Sequence, residues 1–404
     1  MKSGRILILG AGRGQVGLIR AANSLGVETI VASLPSTTAP GISLADQVVY
    51  ADIADPQGIV EAARDLNVSA IATSCADTGL PALGAACDEL ALVGLSHAAA
   101  KLCNDKLLMK RAFERHGVRT ARFREVSTVH GLDDAIEQLG LPLVIKATDL
   151  QGSQGISIVR SVDEAHSGFE HARAVTKRES VIVEQFIEGD EFGAQALVHD
   201  GKIVFVMPHG DEVFMARTAV PVGHSVPLDL PDSTLDEVVR EVEKAIVAVG
   251  IDNSAVNVDL IARGEEIFII EITGRVGANG LPELVSAHFG IDYYEVLVRL
   301  ALGEAPLKAW DTATTPTHAA AVRMLIAPEA RGRIADIHVD SQIAQEGPEF
   351  TLFRRRGDEL SGFTNSGDCV GQVVVRGETL GEALLALDAA ERALVIVLES
   401  SPHE

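Results

Sequence analysis

Two apolar runs, VNVDLIA (256–262) and EIFIIEI (266–272), each carry one carboxylate, Asp259 and Glu271, and this pairing restricts the chain more than any other feature. Branched and apolar residues flanking the turn-forming RGEE predict two strands of a hairpin. An ionised carboxylate on a half-buried strand needs a cation or hydrogen-bond donors, and two on adjacent strands can face one point, as a divalent metal requires. Four residues after Glu271, Arg275 stands in the turn TGR, where a guanidinium could neutralise an anion held by that metal. The other reading is structural: acids on hairpin strands are often solvent-facing members of an alternating pattern, and Arg275 would then simply pair with Asp259. The hairpin by itself leaves both open.

A chain of 404 residues is expected to form two or three domains, and 47% apolar with 23% charged residues supplies ordinary cores. A net charge of −23 argues against nucleic-acid binding, which needs a basic surface, but not against ATP, which needs only a local basic site and a metal. Cysteines 75, 87, 103 and 369 lack ligand-like spacing, so reduced thiols and a cytoplasmic location are expected. The opening MKSGRILILGAG does not read as a signal peptide, and no stretch approaches the roughly twenty apolar residues that cross a bilayer.

RILILG, AGRGQVG, LIRAANSLG and ETIVAS read as strand, glycine-rich turn, helix and strand, the start of a parallel α/β unit. The spacing departs from the dinucleotide fingerprint, and the second strand ends in Ala32-Ser33 without the acid that would bind a ribose. About four such units end near Ser96, and HAAAKLCNDKLLMKRAFERHG (97–117) follows as one long helical run containing Lys106. In the strand PLVIKA, Lys146 is an ammonium among apolar residues that needs an anionic partner, unless its head snorkels to solvent. The loop QGSQG (151–155) behind it can offer backbone N–H groups to phosphate oxygens. The edge of VIVEQFIEGDE suits an adenine, with Glu191 accepting from ribose hydroxyls. TAVPVGHSVPLDLP (218–231) reads as a proline-flanked loop with His224 at its centre.

Lys106, Lys146 with QGSQG, VEQFIEGDE and Asp259…Glu271…Arg275, in this order over some two hundred residues, resemble the ATP-grasp superfamily. The resemblance implies a mixed α/β and α+β fold: a Rossmann-like domain over 1–97, a two-lobed ATP-grasp domain over 98–302 and a small C-terminal α+β region over 303–404. It implies ATP and Mg2+ (or Mn2+), with Lys106 and Lys146 on phosphates, Ser153 in the covering loop, Glu184 and Phe186 at adenine, and Glu191 at ribose. Asp259 and Glu271 would bind metal, Thr273 would stand where many members have a metal-binding Asn, and Arg275 would stabilise an acyl-phosphate. The segment PVGHSVP resembles a stretch near the acceptor substrate of L-amino acid (dipeptide) ligases, making His224 a substrate contact. The activity implied is that of a carboxylate–amine ligase acting on small molecules, in a homodimer. Three other readings stand beside it: a biotin-carboxylase or carbamoyl-phosphate type ligase, an NAD-dependent oxidoreductase resting on the first glycine-rich turn, and a non-catalytic nucleotide-binding module. Lys146→Ala is expected to lower ADP formation at saturating ATP by at least about tenfold; turnover near the wild-type rate would remove the phosphate role.

Overall fold

The computed structural model describes residues 4–150, 155–216, 219–304, 316–340 and 347–399. It begins with β1 (Arg5–Leu9), α1 (Val16–Ser24), β2 (Glu28–Ser33), β3 (Gln47–Tyr50), α2 (Pro56–Asp65), β4 (Ala70–Ala72) and α3 (Leu80–Leu90). The four strands form a parallel sheet in the order β3-β2-β1-β4, as the near-continuous apolar runs predict for strands covered on both faces. The loop after β4 leaves from the carboxyl edge of this sheet, where open α/β sheets place their crevice.

The single long helix expected over 97–117 is two, α4 (His97–Cys103) and α5 (Lys106–His116). Asp105 causes the break, because its carboxylate accepts from the backbone N–H groups of Leu107 and Leu108 as an N-cap. The new helix start places Lys106 in the first turn, with its own N–H bonded to the Thr148 carbonyl.

Next come β5 (Phe123–Val126), α6 (Val129–Leu139), β6 (Leu143–Lys146), β7 (Ile156–Val159), α7 (Val162–Val175) and β8 (Val181–Gln185), an antiparallel sheet in the order β5-β8-β6-β7. Then follow β9 (Asp190–His199), β10 (Lys202–Met215), β11 (Ala219–Val226), α8 (Asp232–Val249), β12 (Ser254–Arg263), β13 (Glu266–Thr273), α9 (Leu281–Phe289) and α10 (Tyr293–Ala301). The remainder supplies β14 (Ala319–Leu325), β15 (Arg331–Val339), β16 (Glu349–Leu352), β17 (Glu359–Ser361), β18 (Gly371–Gly377), α11 (Leu380–Glu391) and β19 (Leu394–Leu398). Eight of these strands make one sheet, β13-β12-β9-β10-β11-β14-β18-β16, so the C-terminal strands continue the central sheet. The C-terminal helix α11 packs on β14 and β18 through Ala383, Leu387 and Ala390, and leaves Leu384 and Leu385 exposed, so it is less amphipathic than the sequence suggests.

The segment around His224 is a strand, β11, and not the proline-flanked loop expected. Val220, Val222, His224 and Val226 alternate into the interior, and the missing N–H of Pro221 falls beside a bulge in the pairing with β10.

One face of the central sheet is sealed by α8, whose Val238, Val242, Ala245, Ile246 and Val249 pack against Val256, Val258 and Leu260. The opposite face is covered at one end by α9 and α10 through Leu281, Leu284, Val285 and Tyr293. Helix α10 also packs on α1, at Gly17, where an added Cβ would fall 2.2 Å from the Tyr294 ring. Gly17→Ala is therefore expected to destabilise the protein by about 1–3 kcal/mol through overpacking, read as a lower urea midpoint with unchanged slope.

Candidate functional site

Backbone pairing lines up the polar side chains. Glu271 of β13 lies opposite Asp259 of β12, Asp259 opposite Gly193 of β9, and Gly193 opposite His209 of β10. Paired residues share a face, so this is one row across four strands. A bulge after Asp259 bends the ladder where the two acids meet. Val258 and Leu260 are buried on the α8 side, which leaves Asp259 on the other face, exposed to solvent although closely surrounded by protein atoms. Burial, then the neighbouring Glu271 and Asp211 carboxylates, push the Asp259 pKa up to about 6.

Lys106 reaches this row from α5, its Nζ 3.1 Å from Glu271 Oε1 and 3.1 Å from the Leu150 carbonyl it donates to. A lysine and two opposed carboxylates are thus brought together, and the like-charged pair is a donor set that fits a hard divalent cation. Thr273 is turned elsewhere. It is buried, and its hydroxyl donates to Asp77 Oδ1 at 2.7 Å.

Arg275 does not pair with Asp259. Its Nε and Nη2 donate to the two oxygens of Asp77 at 2.7 and 2.6 Å, a bidentate fork across to the loop after β4. Burial alone would raise the Asp77 pKa, but the guanidinium and the Thr273 hydroxyl hold it below the ordinary carboxylate value. The same loop is tied down by Cys75, whose N–H donates to the Val276 carbonyl and whose thiol donates to that of Gly277.

Lys146 is buried and has its anion: Nζ lies 3.1 Å from Glu184 Oε2 across the β6–β8 ladder. The sequence reading missed a second ammonium, that of Lys110, 3.3 Å from the same oxygen and also fully buried. Burial lowers the Lys110 pKa to about 8 against the opposing pull of Glu184, and the two lysines hold Glu184 ionised despite its own burial. Glu184 Oε1 is buried with no partner among the described residues, an acceptor available to a ligand. Phe186 lies one strand-end further, half-buried beneath Arg160, and Glu191 is exposed at the start of β9. Ser153 lies outside the described residues.

His224 is buried on β11, and its Nδ1 lies 2.6 Å from Asp211 Oδ1, which His209 Nδ1 also approaches at 2.8 Å. Signals for the missed residues were present. Lys110 sits four positions after Lys106, one helical face on; Asp77 follows a buried strand end; and His209-x-Asp211 alternates as a strand would.

A family model described as the phosphoribosylglycinamide synthetase ATP-grasp (A) domain matches residues 104–216, and one described as L-amino acid ligase C-terminal domain 2 matches 323–399. The crystal structure of phosphoribosylglycinamide synthetase from Anaerococcus prevotii superposes with a TM-score of 0.87 at 45% identity, over 98% of this chain and 100% of that one. The chain belongs to the ATP-grasp superfamily. Members of this superfamily use ATP with Mg2+. Among curated relatives, the alanine–anticapsin ligase of Bacillus subtilis is 26% identical over 264 residues, taking in 59% of this ATP-grasp chain. The match spans 55% of that relative's length. The L-amino acid ligase of Bacillus licheniformis shares the fold at 19% identity, with a TM-score of 0.80 over 99% of this chain and 100% of that one.

The raised Asp259 pKa gives a signed prediction. The folded state holds this proton up to about pH 6 whereas the unfolded chain releases it near its ordinary value of 3.8, so stability falls as pH rises through that interval. Asp259→Asn is expected to raise the Tm of metal-free protein at about pH 8 and leave it nearly unchanged at about pH 4, as thermal melts at the two pH values will read. Equal shifts at both would contradict the assignment.

Proposed function

We propose that this chain is an ATP-dependent carboxylate–amine ligase. It phosphorylates a carboxylate and passes the acyl group to an amine, releasing ADP and phosphate. An amino acid supplies one or both substrates. The observation that carries this reading is the opposition of Asp259 and Glu271 on one sheet face, with Lys106 already bonded to Glu271.

A carboxylate is a poor electrophile, so one of its oxygens must first be phosphorylated by ATP, which lets it leave as phosphate when the amine attacks. Bound Mg2+ would offset charge on the transferring phosphoryl group, held by Asp259 and Glu271. Lys106, freed from Glu271 by the arriving nucleotide, neutralises phosphate oxygens, and Lys146 does so from β6. Keeping water from the acyl-phosphate is the role proposed for Ser153. Glu184, through its unpartnered Oε1, and Phe186 hold adenine, and Glu191 holds ribose. Thr273 takes no metal in this reading, because its hydroxyl braces Asp77. Asp77 orients Arg275, whose remaining N–H groups stabilise the acyl-phosphate and its tetrahedral adduct with the amine. We divide the chain for this purpose at 97 and 302, with the nucleotide between the two lobes of the middle part.

The choice of amino acids as substrates is supported by the match of residues 323–399 to an L-amino acid ligase domain and by the alanine–anticapsin ligase relative. A second reading is favoured by the 45% identical phosphoribosylglycinamide synthetase, and it makes phosphoribosylamine and glycine the substrates, as in the phosphoribosylamine–glycine ligase of Lactococcus lactis. Phosphate release with Mg-ATP and mixed amino acids, followed by mass identification of the product, separates the two. A dipeptide supports the first; release only when phosphoribosylamine is added supports the second; no release with either sinks the ligase reading. Arg275→Ala is expected to lower kcat by about 100-fold with little change in KM for ATP, measured as ADP formed per enzyme.

A further inference from the structure

His209, Asp211 and His224 are brought together beside the carboxylate pair, and their hydrogen bonds fix the state of each. Gln195 settles the first ring. Its Oε1 accepts from the Gly277 N–H at 2.9 Å, so its buried amide nitrogen is turned the other way, 2.6 Å from Asn257 Oδ1 and 3.3 Å from both the Ala194 carbonyl and His209 Nε2. An imidazole nitrogen that accepts carries no proton, so the proton of His209 is on Nδ1 and donates to Asp211 Oδ1. His224 Nδ1 donates to the same oxygen, and burial keeps that ring neutral by lowering its pKa. Burial would raise the Asp211 pKa, but the two imidazole donors reverse it and hold the carboxylate ionised. The cluster therefore carries one negative charge, fixed in place by two neutral rings.

The three groups differ in exposure. The side chains of His209 and His224 are 2% and 4% exposed, that of Asp211 is 23%, so the carboxylate is the part a ligand can touch. Both imidazole protons go to Oδ1, and among the described residues no hydrogen bond reaches Oδ2. His224 Nε2 is buried without a partner among the described residues, a penalty that packing for stability alone would avoid.

The cluster is continuous with the site. Asn257 Nδ2 donates to Asp259 Oδ1, which completes a chain of bonds from Asp211 through His209, Gln195 and Asn257 to Asp259. Gly193 makes room for it, because a Cβ there would lie 2.2 Å from His209 Cε1. Strand β10 is two strands from β12, a lateral separation of about 10 Å. That is too far for Asp211 to share a cation with Asp259, and near enough for a nitrogen held at one to reach a carbonyl activated at the other.

We propose that Asp211, held from behind by His209 and His224, is the anionic subsite that receives the primary ammonium group of the acceptor amine. This rests on the ligase reading and adds the class of its second substrate: a cationic primary amine, bound and oriented as its ammonium by one charge-assisted hydrogen bond. The ammonium gives one proton to solvent to free its lone pair for attack and a second to the departing phosphate.

Hydroxylamine tests it, because it is uncharged near neutrality and intercepts an acyl-phosphate as a hydroxamate without needing an anionic subsite. Wild-type protein and Asp211→Asn are given Mg-ATP, the mixed proteinogenic amino acids and hydroxylamine, and amides and hydroxamates are counted by mass. The amide-to-hydroxamate ratio is expected to fall by about thirty-fold in the variant, the worth of one charge-assisted bond. An unchanged ratio overturns the proposal. In wild-type protein alone, ethylammonium should lower the hydroxamate yield while ethanol, of similar size and uncharged, should not; equal effects overturn it as well. Hydroxamate with no amide in wild type also overturns the subsite, whereas no hydroxamate at all is a failure of the ligase reading instead. One equivalent of tightly held transition metal, removed by a chelator with loss of the amide product, would reassign the cluster to metal binding.

Discussion

Two carboxylates repel, and nothing in their own chemistry would keep Asp259 and Glu271 side by side. What holds them is the β12–β13 ladder, which fixes the two backbones in register and is itself pinned from below by the packing of α8. The repulsion is visible in Asp259, whose proton is retained well above its ordinary range. A sheet pinned in this way stores an unsatisfied need for positive charge at one place. Lys106 partly meets it, from the first turn of a helix whose start is set by the Asp105 cap.

The same logic recurs away from that pair. Glu184 is buried between two lysines and Asp77 is gripped by an arginine, so charge removed from bulk water is answered by opposite charge at hydrogen-bond distance. Such pairs are weak contributors to net stability, because desolvation offsets much of the attraction, but each is costly to break from one side. Their effect is geometric. The Asp77–Arg275 fork spans 198 positions of sequence and joins the loop after β4 to the end of β13, so the N-terminal sheet sets the orientation of a cation beside the central sheet.

Polar continuity links these centres. The amides of Gln195 and Asn257 run between Asp211 and Asp259, each donating and accepting, so that a change of charge at one carboxylate is felt by side chains aligned to the other. Gly193 is the gap in the row that lets the His209 ring lie across β9.

Local pattern was enough for much of this. Apolar runs around single acids marked β12 and β13, the glycine-rich turn marked the first parallel unit, and a lysine among apolar residues announced a buried anion. These follow from side-chain transfer energies and strand periodicity, which act over a few residues. Where a short-range polar contact competed with the pattern, the reading failed: Asp105 capped a second helix within one periodic run, and alternation carried a strand through Pro221 to take in His224. The partners of the charged groups were beyond the reach of sequence. That Arg275 meets Asp77 and not Asp259, that Lys110 joins Lys146 on Glu184, and that Asp211 gathers His224 as well as His209 depend on strand order and register, which bring together residues from thirteen to nearly two hundred positions apart. Sequence determined which groups had to be neutralised; only the tertiary structure decided by whom, because a charge pair is chosen by distance in space and the chain records only distance along itself.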